Sequence, residues 1–328
     1  MNILLTIDDD HEPRLVAAYV AERFGDALLG IDLLQVVPPA AAASASGPAD
    51  HDIVVERARR QAGDRLAGFA AALRTVEGVA RVDTHVVAGD TADAIAESAR
   101  RLGSALIVYE TRGDGRLARW REAHFTAELL RLAPCAVELV KPIAAAPRSL
   151  FNVLLPISGD RLESYPWATI AALPWPRGTH LQFLGMLPGS AHDMPLETNA
   201  FRLIETLSSS RAAASRAGAS LFDACARLGA TLGAGVTIDY ALADATDGSI
   251  VATQAQRYRA SLVVTCSHAE QRGRRARARF VPLFARDAAL QVAAQAACPV
   301  LVLRDDDLGI DAFGGDERRV ATQLHRAR

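Results

Sequence analysis

Residues 2–8 read Asn-Ile-Leu-Leu-Thr-Ile-Asp, a continuous apolar run too short for a helix and closed by polar residues. Such a run predicts a strand buried on both faces, as in a parallel sheet. Residues 12–24 then place Leu15, Ala18, Tyr19 and Phe24 at near-helical spacing, and a second apolar run extends from Ile31 to Val37. After a Pro/Ala/Ser stretch over 38–49, Ala62, Leu66, Phe69 and Leu73 recur at steps of four, three and four. That is the stripe of a long helix lying on a sheet. Val82 to Ala88 predicts a third strand, and Gly89-Asp90-Thr91 turns into a helix carrying Ile95, Ala99 and Leu102. A fourth strand is expected over Ala105–Tyr109, a helix over 121–132 and a fifth strand over Ala136–Val140. Strands alternating with helices predict an α/β fold built on a parallel sheet.

The pattern then restarts. Asn152-Val153-Leu154-Leu155-Pro156-Ile157 echoes Asn2-Ile3-Leu4-Leu5-Thr6-Ile7, and further strands are expected at Leu181–Met186, Val236–Leu242, Ser261–Thr265 and Pro299–Leu303. A long helical region is expected at about 196–229. Ala133-Pro134-Cys135-Ala136-Val137 parallels Ala296-Ala297-Cys298-Pro299-Val300, with cysteine in the same place before each last strand. A repeat of about 150 residues is a tandem duplication, since solenoid units run to about 20–50. The expected division is a first domain over 1–142, a second over 150–304 and a C-terminal tail over 305–328. The short Pro-rich linker Lys141-Pro142-Ile143-Ala144-Ala145-Ala146-Pro147 holds the halves close.

Composition narrows the chemistry. The 328 residues are 50% hydrophobic but only 5% aromatic, so the cores must be built from Ala, Val, Leu and Ile. The 36 basic and 38 acidic residues nearly cancel, which argues against a dedicated nucleic-acid binder. Lys141 is the sole lysine, so a P-loop or Schiff-base lysine elsewhere is excluded. The cysteines Cys135, Cys225, Cys266 and Cys298 are dispersed, without metal spacing, and read as buried thiols of a reducing compartment. Without a basic n-region at the N-terminus or a long apolar span, the expectation is a cytoplasmic protein with no membrane partner.

Taken in order, these motifs carry a resemblance. The first half has an apolar strand ending in Asp8, Val86-Val87-Ala88-Gly89 before a helix, Leu106-Ile107-Val108 followed by Thr111-Arg112-Gly113, and the closing Ala133-Pro134-Cys135. Each half resembles a universal stress protein domain, and the whole resembles a tandem protein of that family. The resemblance implies two Rossmann-like domains of the adenine nucleotide alpha hydrolase-like type. Each would be a five-stranded parallel sheet flanked by helices, with strands one and four adjacent. It also implies that the halves pair as an intramolecular pseudo-dimer through their last strands, and it leaves a homodimer open.

Many members bind ATP through a G-x2-G-x9-G-[S/T] signature after strand four, where glycines let backbone N–H groups approach phosphates. Here the signature falls on Glu110, Gly113, Ala123 and His124, so one glycine of three survives. Asp8 matches the family aspartate near the nucleoside. The resemblance thus implies an ATP or AMP site in the first domain from Ile7, Asp8, Asp9, Val37, Gly89, Glu110, Arg112, Gly113, Arg116, Ala123 and His124. In the second domain the matching positions are Ser158, Cys266, Ser267, His268, Arg286 and Asp287, a degenerate pocket.

Glu110 changes the picture most, because a carboxylate about 4 Å from a phosphate costs roughly 1 kcal/mol in water and about 4 at an effective dielectric near 20. Either Asp8 and Glu110, with Asp9 and Asp10, hold a bridging Mg²⁺, or these carboxylates are solvated and cap the following helix. Arg112, Arg116, Arg119 and Arg121 offer phosphate contacts by side chains instead. The arginine-rich run 272–279 reads as a solvated loop. Cys266-Ser267-His268 lacks an orienting third group, and His11, His51 and His85 show no ligand spacing. The expected function is therefore a non-catalytic stress-response binding protein. The alternatives are an Mg²⁺-dependent nucleotide hydrolase of the related superfamily and an interaction scaffold with both pockets inactive.

Overall fold

The computed structural model describes residues 1–25, 27–38, 48–111, 116–141, 150–158, 162, 165–187, 200–232, 235–244, 248–267 and 288–304. Five strands form the first half: β1 (Asn2–Thr6), β2 (Leu29–Val37), β3 (Val79–Ala88), β4 (Leu106–Glu110) and β5 (Ala136–Val140). The helices between them are α1 (Pro13–Phe24), α2 (Pro48–Leu73), α3 (Thr91–Leu102) and α4 (Arg116–Leu132). The second half repeats the scheme with β6 (Phe151–Ser158), β7 (Thr179–Leu187), β8 (Val236–Asp244), β9 (Leu262–Ser267) and β10 (Val300–Arg304). Its helices are α5 (Trp167–Ala172), α6 (Ala200–Leu232), α7 (Gly248–Tyr258) and α8 (Ala288–Gln295).

All ten strands share one sheet in the order β3-β2-β1-β4-β5-β10-β9-β6-β7-β8. Within each half every pairing is parallel; at the junction β5 and β10 run antiparallel, with Leu301 opposite Glu138 and Val302 opposite Val137. The strand carboxyl ends of the two halves therefore open on opposite edges of the sheet.

The continuous apolar runs are buried on both faces. Ile3 and Leu5 join one core layer with Phe24, Leu66, Phe69, Ile170 and Leu228, beneath α1, α2, α5 and α6. Leu4 points the other way, into a layer with Ile95, Leu129, Val251 and Val292 beneath α3, α4, α7 and α8. Period-two alternation thus feeds both layers from one strand.

Several boundaries differ from expectation. β3 begins at Val79 and α4 at Arg116, each earlier than the apolar pattern suggested. The added residues include Arg81 of β3 and Arg119 of α4, polar residues that periodicity does not count. The carboxylates after β1 do not cap α1. Its N-cap is Glu12, without a side-chain cap bond, and Pro13 opens the helix, where a missing N–H costs nothing.

Candidate functional site

In the first half the chain leaves β1 toward β2 on one side and β4 toward β5 on the other, so the β1/β4 boundary is a switch point where open α/β sheets bind ligands. Thr6 Oγ1 donates to the Val108 carbonyl at 3.1 Å and ties the two strand ends together. Beyond them the chain delivers Asp8 from one strand and Glu110 from the other.

Between these carboxylates lies His11. Its Nε2 is 2.8 Å from Glu110 Oε2, and its Nδ1 is 2.5 Å from Asp8 Oδ1 and 3.1 Å from the Asp8 backbone N–H. The imidazole is 5% exposed and Glu110 15%, whereas Asp8 is 42% exposed. The position where the sequence suggested a bridging cation is taken by the protein's own imidazole. Among the described residues no group of three or more His, Cys, Asp or Glu is arranged to hold a metal. Next to this cluster Asp9 accepts from Gln35 Nε2 at 3.0 Å and pairs with Arg65 of α2. The other Gln35 atom, Oε1, is buried with no hydrogen-bond partner.

The remaining first-half candidates divide. Ile7 is buried and its N–H donates to the Leu34 carbonyl at 2.8 Å, while buried Val37 accepts from Gly89 N–H at 3.2 Å. Gly89 has φ of +155°, a conformation L side chains rarely adopt, which lets β3 turn sharply into α3 behind the Asp90 cap. Ala123 is half-buried and His124 exposed on α4; Arg116 opens that helix. Arg112 and Gly113 lie outside the described residues. Beside Glu110, Tyr109 packs on Phe125 with ring centroids 4.8 Å apart. Burial first, then Glu122 and Glu110, raises the Tyr109 hydroxyl above its ordinary range.

The second crevice is built differently. Ser158 ends β6, and Cys266 and Ser267 end β9, as the repeat suggested. His268, Arg286 and Asp287 lie outside the described residues, as do the arginine run 272–279 and the tail 305–328. After β6 the chain brings in Tyr165 and Trp167, whose rings meet at a tilt with centroids 5.0 Å apart, and the Trp167 ring lies 5.2 Å from that of Phe183 of β7. The Tyr165 hydroxyl is buried without a hydrogen-bond partner, and burial, reinforced by Cys266 and Cys225, raises it well above its usual range. Apolar rings stand here where the first half places charges.

His11, Gln35 and Arg65 are the site residues that the sequence reading passed over. His11 carried one faint signal, standing three residues after Asp8 in the loop that follows β1. Gln35 and Arg65 carried none, since nothing in their spacing links them to Asp9.

No described helix is long and apolar enough to cross a membrane. A universal stress protein from Archaeoglobus fulgidus DSM 4304 is similar over 92% of this chain and 96% of its own, at 15% identity and a TM-score of 0.57. A functionally unknown protein from Pseudomonas aeruginosa PAO1 is similar over 98% and 97%, at 18% identity and a TM-score of 0.50. At such identities the likeness establishes the fold along nearly the whole chain. No curated protein matches it. Residues 1–141 match the model of the universal stress protein family. That segment, which contains the whole β1/β4 crevice, is similar to the universal stress protein family.

Proposed function

We propose that this is a non-catalytic, stress-associated binding protein whose ligand site is the β1/β4 crevice, and that the ligand is an adenine nucleotide, ATP or AMP. The second half serves as a structural partner with a crevice given over to aromatic packing. The observation that carries this reading is the Asp8–His11–Glu110 bridge at the switch point.

Three carboxylates (Asp8, Asp9 and Glu110) would repel a phosphate strongly. With Arg65 paired to Asp9, the net charge of the group falls from three negative to two, and His11 hydrogen-bonds the other two carboxylates. The repulsion falls in proportion, from three charge pairs to two at about 1–4 kcal/mol each, depending on effective dielectric. Each carboxylate has a hydrogen-bonding neighbour, an arrangement suited to binding more than to turnover. A hydrolase reading is supported less well, because the place for its cation is held by His11.

Calorimetry of the purified full chain against ATP and AMP, with a phosphate-release assay on the same sample, tests the proposal. The expected outcome is one nucleotide bound per chain and no phosphate released. No heat at millimolar nucleotide would overturn the binding reading, and release of phosphate abolished by Asp8→Ala would overturn the non-catalytic one.

A further inference from the structure

We propose that the outer edge of β8 is a homodimer interface, where two copies of the chain pair their β8 strands antiparallel and continue one sheet. The inference stands apart from the nucleotide reading, because β8 ends the second half of the sheet and the β1/β4 crevice lies in the first.

The ten-stranded sheet has two outer strands, β3 and β8, equivalent by duplication but unlike in chemistry. β3 carries Arg81 and Asp83, both exposed, with His85 beside them. Charges on an edge strand oppose pairing with another chain. β8 instead carries Val236, Ile238, Tyr240 and Leu242 along one face, with Asp239 as the charge in mid-strand. Tyr240 and Leu242 are exposed, and Phe222 of α6 is 56% exposed, its ring centroid 6.1 Å from that of Tyr240. Beside these rings Cys225, Ala226, Gly229, Val236 and Ile238, with Asp239, line a groove of about 350 Å³.

A second copy of β8 fits this edge in one register. Tyr240 N–H donates to the Asp239 carboxylate at 2.7 Å, so the Tyr240 backbone faces away from β7. By alternation the backbone groups of Val236, Ile238 and Leu242 face the same way. Pairing centred on Tyr240 matches all nine residues of Val236–Asp244 and sets Ile238 opposite Leu242 of the second copy. Each exposed Leu242 then meets the other copy's groove, and Asp239 faces Ala241. Centring on Asp239 would oppose two carboxylates, which is destabilising. Centring on Ile238 would leave Leu242 outside the pairing. A nine-residue strand is about 30 Å long, and with α6 above it the edge is about 20 Å deep, or about 600 Å² per copy. The total of about 1,200 Å² is the lower bound of a specific interface, so the dimer dissociates at micromolar concentration. A two-fold pairing uses both β8 edges, and the charged β3 edges stop assembly at two copies.

Sedimentation velocity of the full chain from about 1 to about 200 µM tests the interface. Wild type is expected to pass from monomer to dimer across that range. Tyr240→Asp opposes two carboxylates on the two-fold axis and should raise Kd about tenfold or more. Leu242→Glu, which brings a charge to the groove, should do the same. Thr84→Asp on β3 should leave the dimer unchanged. Tyr240→Cys should cross-link the copies under oxidised glutathione, above the wild-type background, since directly opposed residues lie about 5.5 Å apart. Thr237→Cys, opposite Ala243, should not. A wild type that stays monomeric at the highest concentration overturns the proposal, whatever else covers the edge. A dimer that survives both charged β8 variants, or is lost equally with Thr84→Asp, also overturns it. If circular dichroism shows a charged variant unfolded, the cysteine variants decide: no cross-link at 240, or an equal one at 237, overturns the interface.

Discussion

Replacing Glu138 on β5 or Arg23 on α1 should loosen the junction between the halves more than any other single change to a polar side chain. Arg23 Nε lies 3.0 Å from both Glu138 carboxylate oxygens, and Tyr19 O–H donates to one of them at 2.5 Å. The guanidinium reaches into the second half, where Nη1 donates to the Pro174 carbonyl at 3.1 Å. Its Cζ sits 4.7, 5.9 and 5.7 Å from the ring centroids of Phe24, Phe151 and Trp175. Glu138 is 0% and Arg23 2% exposed, and Glu138 stands opposite Leu301 in the antiparallel junction. Glu138→Leu strands a buried guanidinium, which costs about 3–5 kcal/mol. It also orphans the Tyr19 hydroxyl, for about 1–3 more. Arg23→Met strands the carboxylate at a similar cost. The double variant removes both charges, so its loss should shrink to that of the Tyr19 hydroxyl and the aromatic contacts of the guanidinium, about 1–3 kcal/mol. Urea unfolding of the four proteins, followed by circular dichroism and tryptophan fluorescence, gives the coupling energy directly. Single-variant losses below about 1 kcal/mol, or a double variant that equals the sum of its singles, would refute the account.

Other consequences are simpler to state. Tyr165→Phe removes a buried hydroxyl that lacks a partner and should stabilise the chain by about 1 kcal/mol in the same assay; a loss would show that the hydroxyl is satisfied after all. Burial raises both Tyr19 and Tyr165, so the unfolded chain loses these protons first as pH climbs past about 10. Their contribution is intact below that pH, and above it stability should fall by up to about 1.4 kcal/mol per pH unit for each tyrosine. Tyr165→Phe should lower that slope, and an unchanged slope would contradict the burial. Asp90→Ala removes the acceptor for Ala92 N–H at the start of α3 and should cost about 1 kcal/mol by thermal unfolding.

Element type was legible where a single physical rule dominated. Ile3-Leu4-Leu5 and Leu106-Ile107-Val108 are buried on both faces, so they read as parallel strands from composition alone. The α2 stripe Ala62–Leu66–Phe69–Leu73 is fully buried, as its spacing required. The long-range polar contacts were not legible. Arg65 meets Asp9 across 56 positions and Arg23 meets Glu138 across 115. Such pairings are decided by how helices settle on the sheet, and no periodicity reports that. The short α5 also escaped, since Trp167–Ala172 is too brief to establish a helical period. The site was half legible: Asp8 and Glu110 were placed by strand ends, but the sequence offered only a bridging Mg²⁺ or solvent between them, because the loop path of His11 could not be traced from sequence.

Duplication copied a sheet and a crevice, but the two crevices now satisfy different physical demands. In the first, ionisable groups from β4, α2 and the loop after β1 pair with one another and leave the crevice polar. In the second, Tyr165, Trp167 and Phe183 add to the core beside Cys266. The antiparallel β5–β10 junction puts these edges on opposite sides of one continuous sheet. A ligand at the first edge therefore cannot touch the second crevice. Any influence between the halves must pass through the junction, where the described ion pair is Arg23 with Glu138. Glu138 lies on β5, beside the β4 strand that ends in Glu110. The residues that hold the halves together and those that close the crevice thus share adjacent strands, and a change in one can reach the other through the sheet.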